Sequence, residues 1–487
     1  MTTTDQNQSP AELHHPRDDQ PPPRKLWRVG TLTYTQSGLV MLFIWLLGGD
    51  FTWQLRERAI APAMPLLLRM FGASDFVVAL LLSTMPALLS IAFSPIVSYR
   101  SDRFRSRFGR RIPFLLLSTP PAFLSMAGLA LSPALGRWLN QALAGHSPGV
   151  TVCVLGCVTF FWLIFDVALV VTNSVHGALV NDVVPKEVIG RFFGMFRVAS
   201  LGAGMLFNEF LLGKMETQYV RIFLLIGTVF FICFTLMCLL VKEGQYPPPP
   251  PPKTGRPAER IANAVSTYVR ECFTLPYYRW FFLSFLLAHM AFEPINLFSF
   301  YFGQSVGMSV GTYGHYSAIQ LLCSLIQAPI LGWVADKIHP LRVTIFALFM
   351  YALSTSLAFA FVRDQRTFAL AHVICGTCSG MWLTATAPMA QVLLPRMKFA
   401  TFASVLAICQ ATARLIIGPV VGWLLDAMNV GKTASTRDYH FIYLWACVFI
   451  TLSLLVTFVV YRKFLRYGGP ASYVPPEPSE EPSGFPI

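Results

Sequence analysis

Charge is scarce in this chain: Asp, Glu, Lys and Arg make up 13% of its 487 residues, while 54% are hydrophobic. Soluble chains carry about 25% charged residues. The surface that charge would cover must therefore meet something apolar, and for a chain this long that is lipid. Acidic residues are the scarcer sign, 24 against 37 Lys and Arg, which leaves a net charge of +13. A nucleic-acid partner is one use for such an excess, but the basic residues gather in particular loops and form no binding stripe, so none is expected. No H-E-x-x-H and no phosphate loop occurs, which removes the commonest metal-hydrolase and nucleotide chemistries. Neither enzyme activity nor a cofactor or metal is expected. The ten cysteines lie almost all within apolar stretches, so a disulfide framework is not expected either. Cys375-Gly376-Thr377-Cys378 reads C-x-x-C but sits mid-helix without further ligands, and small-residue helix packing is its expected role. Residues 1–36 are polar and Pro-rich, unlike the start of a signal peptide. Ala61-Pro62-Ala63 resembles a cleavage site, but Arg56, Glu57 and Arg58 interrupt the apolar run before it.

What the chain has in abundance is long apolar runs. A membrane-spanning helix needs about 20 predominantly apolar residues. Such runs cover 39–67, 76–99, 112–133, 150–180, 192–212 and 221–241, and then 280–304, 312–335, 342–362, 368–391, 400–427 and 440–462. Twelve spans in two sets of six predict an all-α polytopic membrane protein with pseudo-symmetric halves. With the N-terminus placed in the cytoplasm, cytoplasmic segments hold 25 of the 37 Lys and Arg and external segments 8. By the positive-inside rule both termini are therefore cytoplasmic.

This reading divides the chain into a polar tail (1–36), a first half (37–241), a connector (242–279), a second half (280–463) and a C-terminal tail (464–487). The connector carries six prolines, Pro247 to Pro252, which favour a stiff polyproline spacer. Ile261, Val265, Tyr268, Val269 and Cys272 then recur at helical spacing, as in an amphipathic helix lying on the membrane surface. The halves echo one another. Gly332-Trp333-Val334-Ala335-Asp336-Lys337 closes the eighth span as Ser98-Tyr99-Arg100-Ser101-Asp102-Arg103 closes the second, and Leu393-Leu394-Pro395-Arg396 mirrors Val183-Val184-Pro185-Lys186. Such internal repeats are typical of secondary carriers.

Residues 94–114 read SPIVSYRSDRFRSRFGRRIPF. This resembles the cytoplasmic loop signature of the major facilitator superfamily, and in particular the loop of sucrose carriers and other glycoside–pentoside–hexuronide symporters. Phe51-Thr52-Trp53-Gln54-Leu55 and Phe161-Trp162 followed by Asp166-Val167-Ala168 are similar to motifs of the same carriers. The resemblance implies the twelve-helix major facilitator fold and cation-coupled transport by alternating access. Asp102, Arg103, Arg107, Gly109, Arg110 and Arg111, with Gly332, Asp336 and Lys337 in the second half, are the expected gating residues. Asp102 can accept bonds from helix-end amides and from an arginine, and the arginines can grip carboxylates and lipid phosphates.

Ionisable groups at membrane depth are costly, so they usually serve a function. At about 100° per residue, Asp50, Gln54, Glu57 and Arg58 share one face of the first span, with Trp53 beside them; a carboxylate, an amide and an aromatic ring suit a sugar. Asp166, Asn173 and Gly177 share a stripe of the fourth span, and Arg197, Gly204 and Asn208 share one of the fifth. By resemblance, Asp166 corresponds to the acidic residue near sugar and cation, while Gly177 stands where sucrose carriers have an arginine, with His176 as a weak substitute. An ion pair between Asp166 and Arg197 is the structural alternative. His289 and Glu293 lie four apart on the seventh span, where Pro294 suggests a broken helix. Gln410 and Arg414 lie four apart on the eleventh, and Arg414 needs an acidic partner, Glu293 or Asp50. The second span lacks the acidic pair of sodium-coupled relatives, so protons are the expected coupling ion. The expected function is proton-coupled symport of a sugar or glycoside by a monomer in a plasma or bacterial inner membrane. An organic-anion carrier or drug exporter is the alternative within transport, and a non-transporting receptor or scaffold the alternative outside it.

Overall fold

The computed structural model describes residues 26–185, 187–246, 272–395, 399–432 and 437–476. The polyproline run and the expected amphipathic helix of the connector (247–271) lie outside the described residues, as do residues 1–25 and 477–487 of the tails.

Among the described residues twelve long helices follow one another. In the first half they are α1 (Gln36–Met70), α2 (Asp75–Arg103), α3 (Ile112–Leu143), α4 (Val150–Val183), α5 (Ile189–Phe210) and α6 (Met215–Leu240). In the second they are α7 (Pro276–Ser305), α8 (Val310–Ile338), α9 (Pro340–Phe361), α10 (Gln365–Leu393), α11 (Phe399–Met428) and α12 (Phe441–Arg466). Eleven helices among the described residues are long and apolar enough to cross a membrane. The twelfth long helix, α5, is diluted by Arg191, Arg197 and Glu209. The starts of several helices are written in the sequence. Thr35, Ser74 and Ser309 accept a hydrogen bond from the backbone two or three residues into α1, α2 and α8, and Asp364 and Thr367 form a capping box on α10.

Residues expected to form only a polar tail make a small antiparallel hairpin, Trp27–Val29 (β1) against Leu32–Tyr34 (β2). Gly30 turns it at φ 52°. Alternation within so short a strand gives little signal against a Pro-rich background. Thr31 Oγ1 accepts a bond from the Gln245 amide at 2.8 Å, so the hairpin holds the segment leaving α6.

α7 is not broken at Pro294. It runs continuously from Pro276 to Ser305. The proline removes the amide that would have bonded the Met290 carbonyl, and the Trp445 indole N–H bonds that carbonyl instead, at 3.1 Å. The rescue comes from α12, far away in sequence.

Among the described residues the halves meet mainly along two helix pairs, α2 with α11 and α5 with α8. Close approach is built from small residues: Gly418 and Gly422 of α11 face Ser83 and the start of α2, and Gly311 and Gly314 of α8 lie against Gly213 and the Asn208 carbonyl. These contacts fall toward the end of the bundle opposite the termini, the distal end. A polar lock lies there. Asp426 accepts bonds from the Asp75 and Phe76 amides at 3.1 and 2.8 Å, and Arg437 bridges Asp426 and Asp75. Arg69 and Tyr439 complete the lock around the fully buried Asp75.

Candidate transport site

Between the halves, α1, α5 and α7–α10 with α12 enclose a cavity of about 230 Å³. Its polar lining is mostly uncharged. Ser299 Oγ and the Tyr313 hydroxyl are 2.9 Å apart, and Ser317 Oγ lies 3.0 Å from His372 Nε2. Gln320, Asn296 and Ser379 add amides and a hydroxyl, and Arg58 and Asn208 enter from the first half. The Asn208 amide oxygen is buried and has no hydrogen-bond partner among the described residues. Such an orphan is expensive unless a ligand or water supplies the missing donor.

A second layer of polar groups continues along α1. Gln54 Nε2 lies 3.5 Å from one oxygen of the fully buried Asp50, whose other oxygen has no partner among the described residues. The Gln54 oxygen accepts a bond from Ser200 Oγ at 2.9 Å, and Arg58 donates to the same hydroxyl at 3.4 Å. Glu57 is half-buried nearby on the helix. Trp53 does not join this face. It is 3% exposed, and its ring is covered by the Arg56 guanidinium, 3.8 Å from the ring centroid. Phe165 and Phe230 flank the same cation at 4.7 and 4.5 Å. The expected sugar-stacking role of Trp53 is therefore corrected: a cation that must stay at depth is held by aromatic faces, and Trp53 is one of them.

Asp166 is 1% exposed, and one of its carboxylate oxygens has no partner among the described residues. The ion pairs formed by the described residues do not join it to Arg197; Arg414 is the cation whose field it feels. Asn173 and Gly177 lie exposed further along α4. His176 turns the other way and packs among Phe196 and Phe234, so it does not stand in for an arginine at Gly177. Arg197 is exposed on α5, with Arg58 the charge nearest in influence. On α7, His289 sits in an aromatic box with Phe285 and Trp382 at 4.7 and 5.3 Å. Glu293 faces Arg414, Nε to Oε2 3.8 Å, one of the two partners expected for that arginine. Gln410, one turn earlier, is half-buried.

A profile of the family described as MFS/sugar transport protein matches residues 65–466. The chain belongs to that family. It is a multi-pass membrane transporter of the major facilitator type, with a small molecule as its expected cargo. Solute carrier family 45 member 4 of Mus musculus is 24% identical over 230 residues, which is 45% of this chain and 27% of that protein. Among solved structures, a bacterial homologue of the human lysosomal transporter Spinster, in an inward-facing unoccupied conformation, superposes with TM-score 0.66 at 14% identity. The match covers 89% of this chain and 99% of that one. A D-xylose–proton symporter superposes with TM-score 0.59 at 14% identity, covering 86% and 96%. At such identities these likenesses speak for the fold alone.

In this transporter the signature loop is a closed network between the first half and the start of the connector. Arg110 makes a bidentate pair with Asp182 at 2.7 and 3.0 Å and lies over the Tyr246 ring. Arg111 bonds Asp102, Ser101 and Asp182. Asp102 does take the arginine, but the helix-end amides go elsewhere. Glu243 accepts from the backbone N–H groups of Arg110, Arg111 and Ile112 at 2.9, 2.8 and 2.7 Å. That is a carboxylate seated on the N-terminus of α3. Gly109 makes room for it: φ is 107°, and a Cβ there would collide with Glu243. Arg103 and Arg107 lie over Tyr99 and Phe108, and Lys337 over Trp333. Gly332 is half-buried on α8, and the Asp336 side chain lies outside the described residues.

Sequence reasoning missed Asp182, Glu243, Ser83, Ser299, Tyr313, Ser317, Gln320 and His372. Most are neutral polar residues inside apolar helices, where only a contact map separates a lining group from a packed one. Two G-x-S-x-G strings also occur, Gly303-Gln304-Ser305-Val306-Gly307 and Gly307-Met308-Ser309-Val310-Gly311. They join α7 to α8. Ser305 bonds the Phe302 carbonyl and Ser309 caps α8, so neither forms the strand–turn–helix elbow that exposes a serine nucleophile.

Proposed function

We propose that the chain is a proton-coupled symporter of a sugar or glycoside, working by alternating access, with both termini in the cytoplasm. The observation that carries this is the cavity lining. Hydroxyls, amides, a phenol and an imidazole outnumber charges there, and such groups can both donate and accept, as a polyhydroxylated neutral ligand requires. A site built to satisfy hydroxyl groups rejects analogues that leave its own buried groups unpaired.

Coupling is assigned to carboxylates at membrane depth, of which Asp166 and Asp50 are buried and each keep an oxygen without a partner among the described residues. Asp166 leads, with Asp50, Glu57 and Glu293 as the other candidates. A carboxylate at membrane depth is far cheaper neutral than charged, so proton binding lowers the cost of closing the halves around cargo. Contacts between the halves gather at the distal end; with the termini inside, this is an inward-facing state. The halves 37–241 and 280–463 then rock about the cavity, and the connector 242–279 spans them. Both a plasma membrane and a bacterial inner membrane suit this topology, and a monomer suffices.

Arg58 in the lining and Arg197 near it favour one other reading, an organic-anion carrier. Uptake of labelled neutral sugars and of organic acids into proteoliposomes, with and without an inward proton gradient, separates the two. Gradient-driven accumulation of a neutral sugar is the expected result. Accumulation of organic acids alone would replace this reading with the second.

A further inference from the structure

We infer that Glu293 carries a proton when the distal end is closed, and that Ser83 reads that proton as a latch between the halves. Ser83 lies in a π-helical turn, Leu80–Thr84, within α2. Such turns are frequent at functional sites because they bulge one residue out of helical register. The bulge is itself supported: the Trp162 indole donates to the Leu81 carbonyl at 2.7 Å. Ser83 is fully buried, and its hydroxyl reaches across to the second half. There it lies 2.5 Å from Glu293 Oε1 on α7 and 2.8 Å from the Arg414 carbonyl on α11.

One hydroxyl has one proton. It cannot donate to a carboxylate and a carbonyl at once, and a carbonyl has no proton to return. If Glu293 were charged, Ser83 would donate to one oxygen and press bare lone pairs against the other. Both contacts are satisfied when Glu293 is a carboxylic acid: it donates to Ser83 Oγ, and Ser83 donates on to the Arg414 carbonyl. The Arg414 guanidinium does not argue against this. It stands 3.8 Å from the other carboxyl oxygen, beyond hydrogen-bond reach, and its side chain is 47% exposed while that of Glu293 is 10%. Among the described residues, His289, one turn back on α7, and Asp166 on α4 are the other ionisable groups that share the field of Arg414.

The consequence is a switch. With the proton on, Ser83, Glu293 and Arg414 form one chain of bonds that ties α2 to α7 and α11. When the proton leaves, the carboxylate competes with the Arg414 carbonyl for the single Ser83 hydrogen. It gains more by moving to the Arg414 guanidinium, a partner in its own half. The tie between halves is then lost, and the empty carrier is free to open distally. Proton release on one side thus permits the return step, as coupled transport requires.

This deepens the proton-coupled reading, and its test needs no cargo. The full chain in lipid nanodiscs would be followed by hydrogen exchange across a pH series, corrected for intrinsic rates, over residues 71–79 and 422–432. The expected wild-type result is protection on the acid side that falls about tenfold on the alkaline side, the loss of one neutral hydrogen bond. Glu293→Gln, whose amide can still donate to Ser83, should stay protected throughout and lose the protonated-carboxyl band in infrared spectra. Ser83→Ala should be unprotected at every pH, and it keeps the test decisive if Glu293→Gln fails to fold. No pH response in the wild type, or a wild-type pH response kept in both variants, overturns the inference. A response that follows Glu293 without any concentrative sugar uptake would refute the sugar reading and leave the switch standing.

Discussion

Asp426→Asn tests whether the distal lock sets the resting state of the carrier. The Asp426 carboxylate receives the Asp75 and Phe76 amides at 3.1 and 2.8 Å and the Arg437 guanidinium at 3.1 Å. It thus caps the first turn of α2 from the other half of the molecule. An asparagine keeps one acceptor oxygen but loses the charge and turns an N–H₂ toward a cap amide or Arg437. A hydrogen bond to a charged group contributes about 1.5–3 kcal/mol. Asp426 is not deeply buried, its side chain being 24% exposed, so solvent screening reduces the sum over its contacts to roughly 2 kcal/mol. That is about a thirtyfold shift of the open–closed equilibrium. Arg437 stays paired with the buried Asp75, which should keep the variant folded. Thiol-reagent labelling of a single cysteine introduced at Ser299, in a background from which the ten native cysteines are removed, would report the shift. Labelling with a membrane-impermeant reagent from the distal side should accelerate by about the same factor. An unchanged rate with unchanged thermal stability would mean that the lock is ornamental and that helix packing alone closes this end.

Three further outcomes are expected. Glu243→Ala removes the carboxylate from three α3 amides and should lower stability by about 1–3 kcal/mol, read as a lower melting temperature in detergent; Glu243→Gln should recover part of it, and no loss in either would refute the capping role. Asp166→Asn should abolish accumulation against a gradient while leaving some exchange; rescue of concentrative uptake by adding Arg197→Gln would mean that the two residues serve as a structural pair. Sodium should not stimulate uptake at fixed pH and membrane potential, and a strong stimulation would show a cation site built from carboxylates such as Asp50.

The helices were legible because the solvent forces them to be. In lipid every backbone group must be bonded internally, so a run of apolar residues of spanning length has one regular outcome, and the positions of the long helices other than the charge-diluted α5 follow from hydropathy. The hairpin at residues 27–34 was not legible, since six residues in two short strands carry almost no periodic signal. The fate of Pro294 was not legible either. A proline inside a span frees a carbonyl, but whether the helix breaks depends on a donor arriving from elsewhere, here Trp445, 151 positions on.

The site was legible in its charges and illegible in its geometry, and one pair of residues shows why. Glu293 announces itself because a carboxylate within an apolar run is improbable without a use. Ser83 does not, because a serine in a membrane helix most often bonds its own helix carbonyl three or four residues back, as Ser118, Ser125 and Ser132 do. Only the π-helical turn takes Ser83 off that path and sends its hydroxyl across the interface. Trp53 illustrates the opposite error. Its neighbours Asp50 and Gln54 made it look like part of a binding face, yet Arg56, three residues on, claims the ring. Helical spacing says which side chains share a face, whereas the partner that claims each one comes from another helix. In a carrier that partner also changes with conformation, so the oxygens of Asp50, Asp166 and Asn208 that lack a partner among the described residues are places where, on the reading proposed above, a proton, a ligand or a new neighbour would enter.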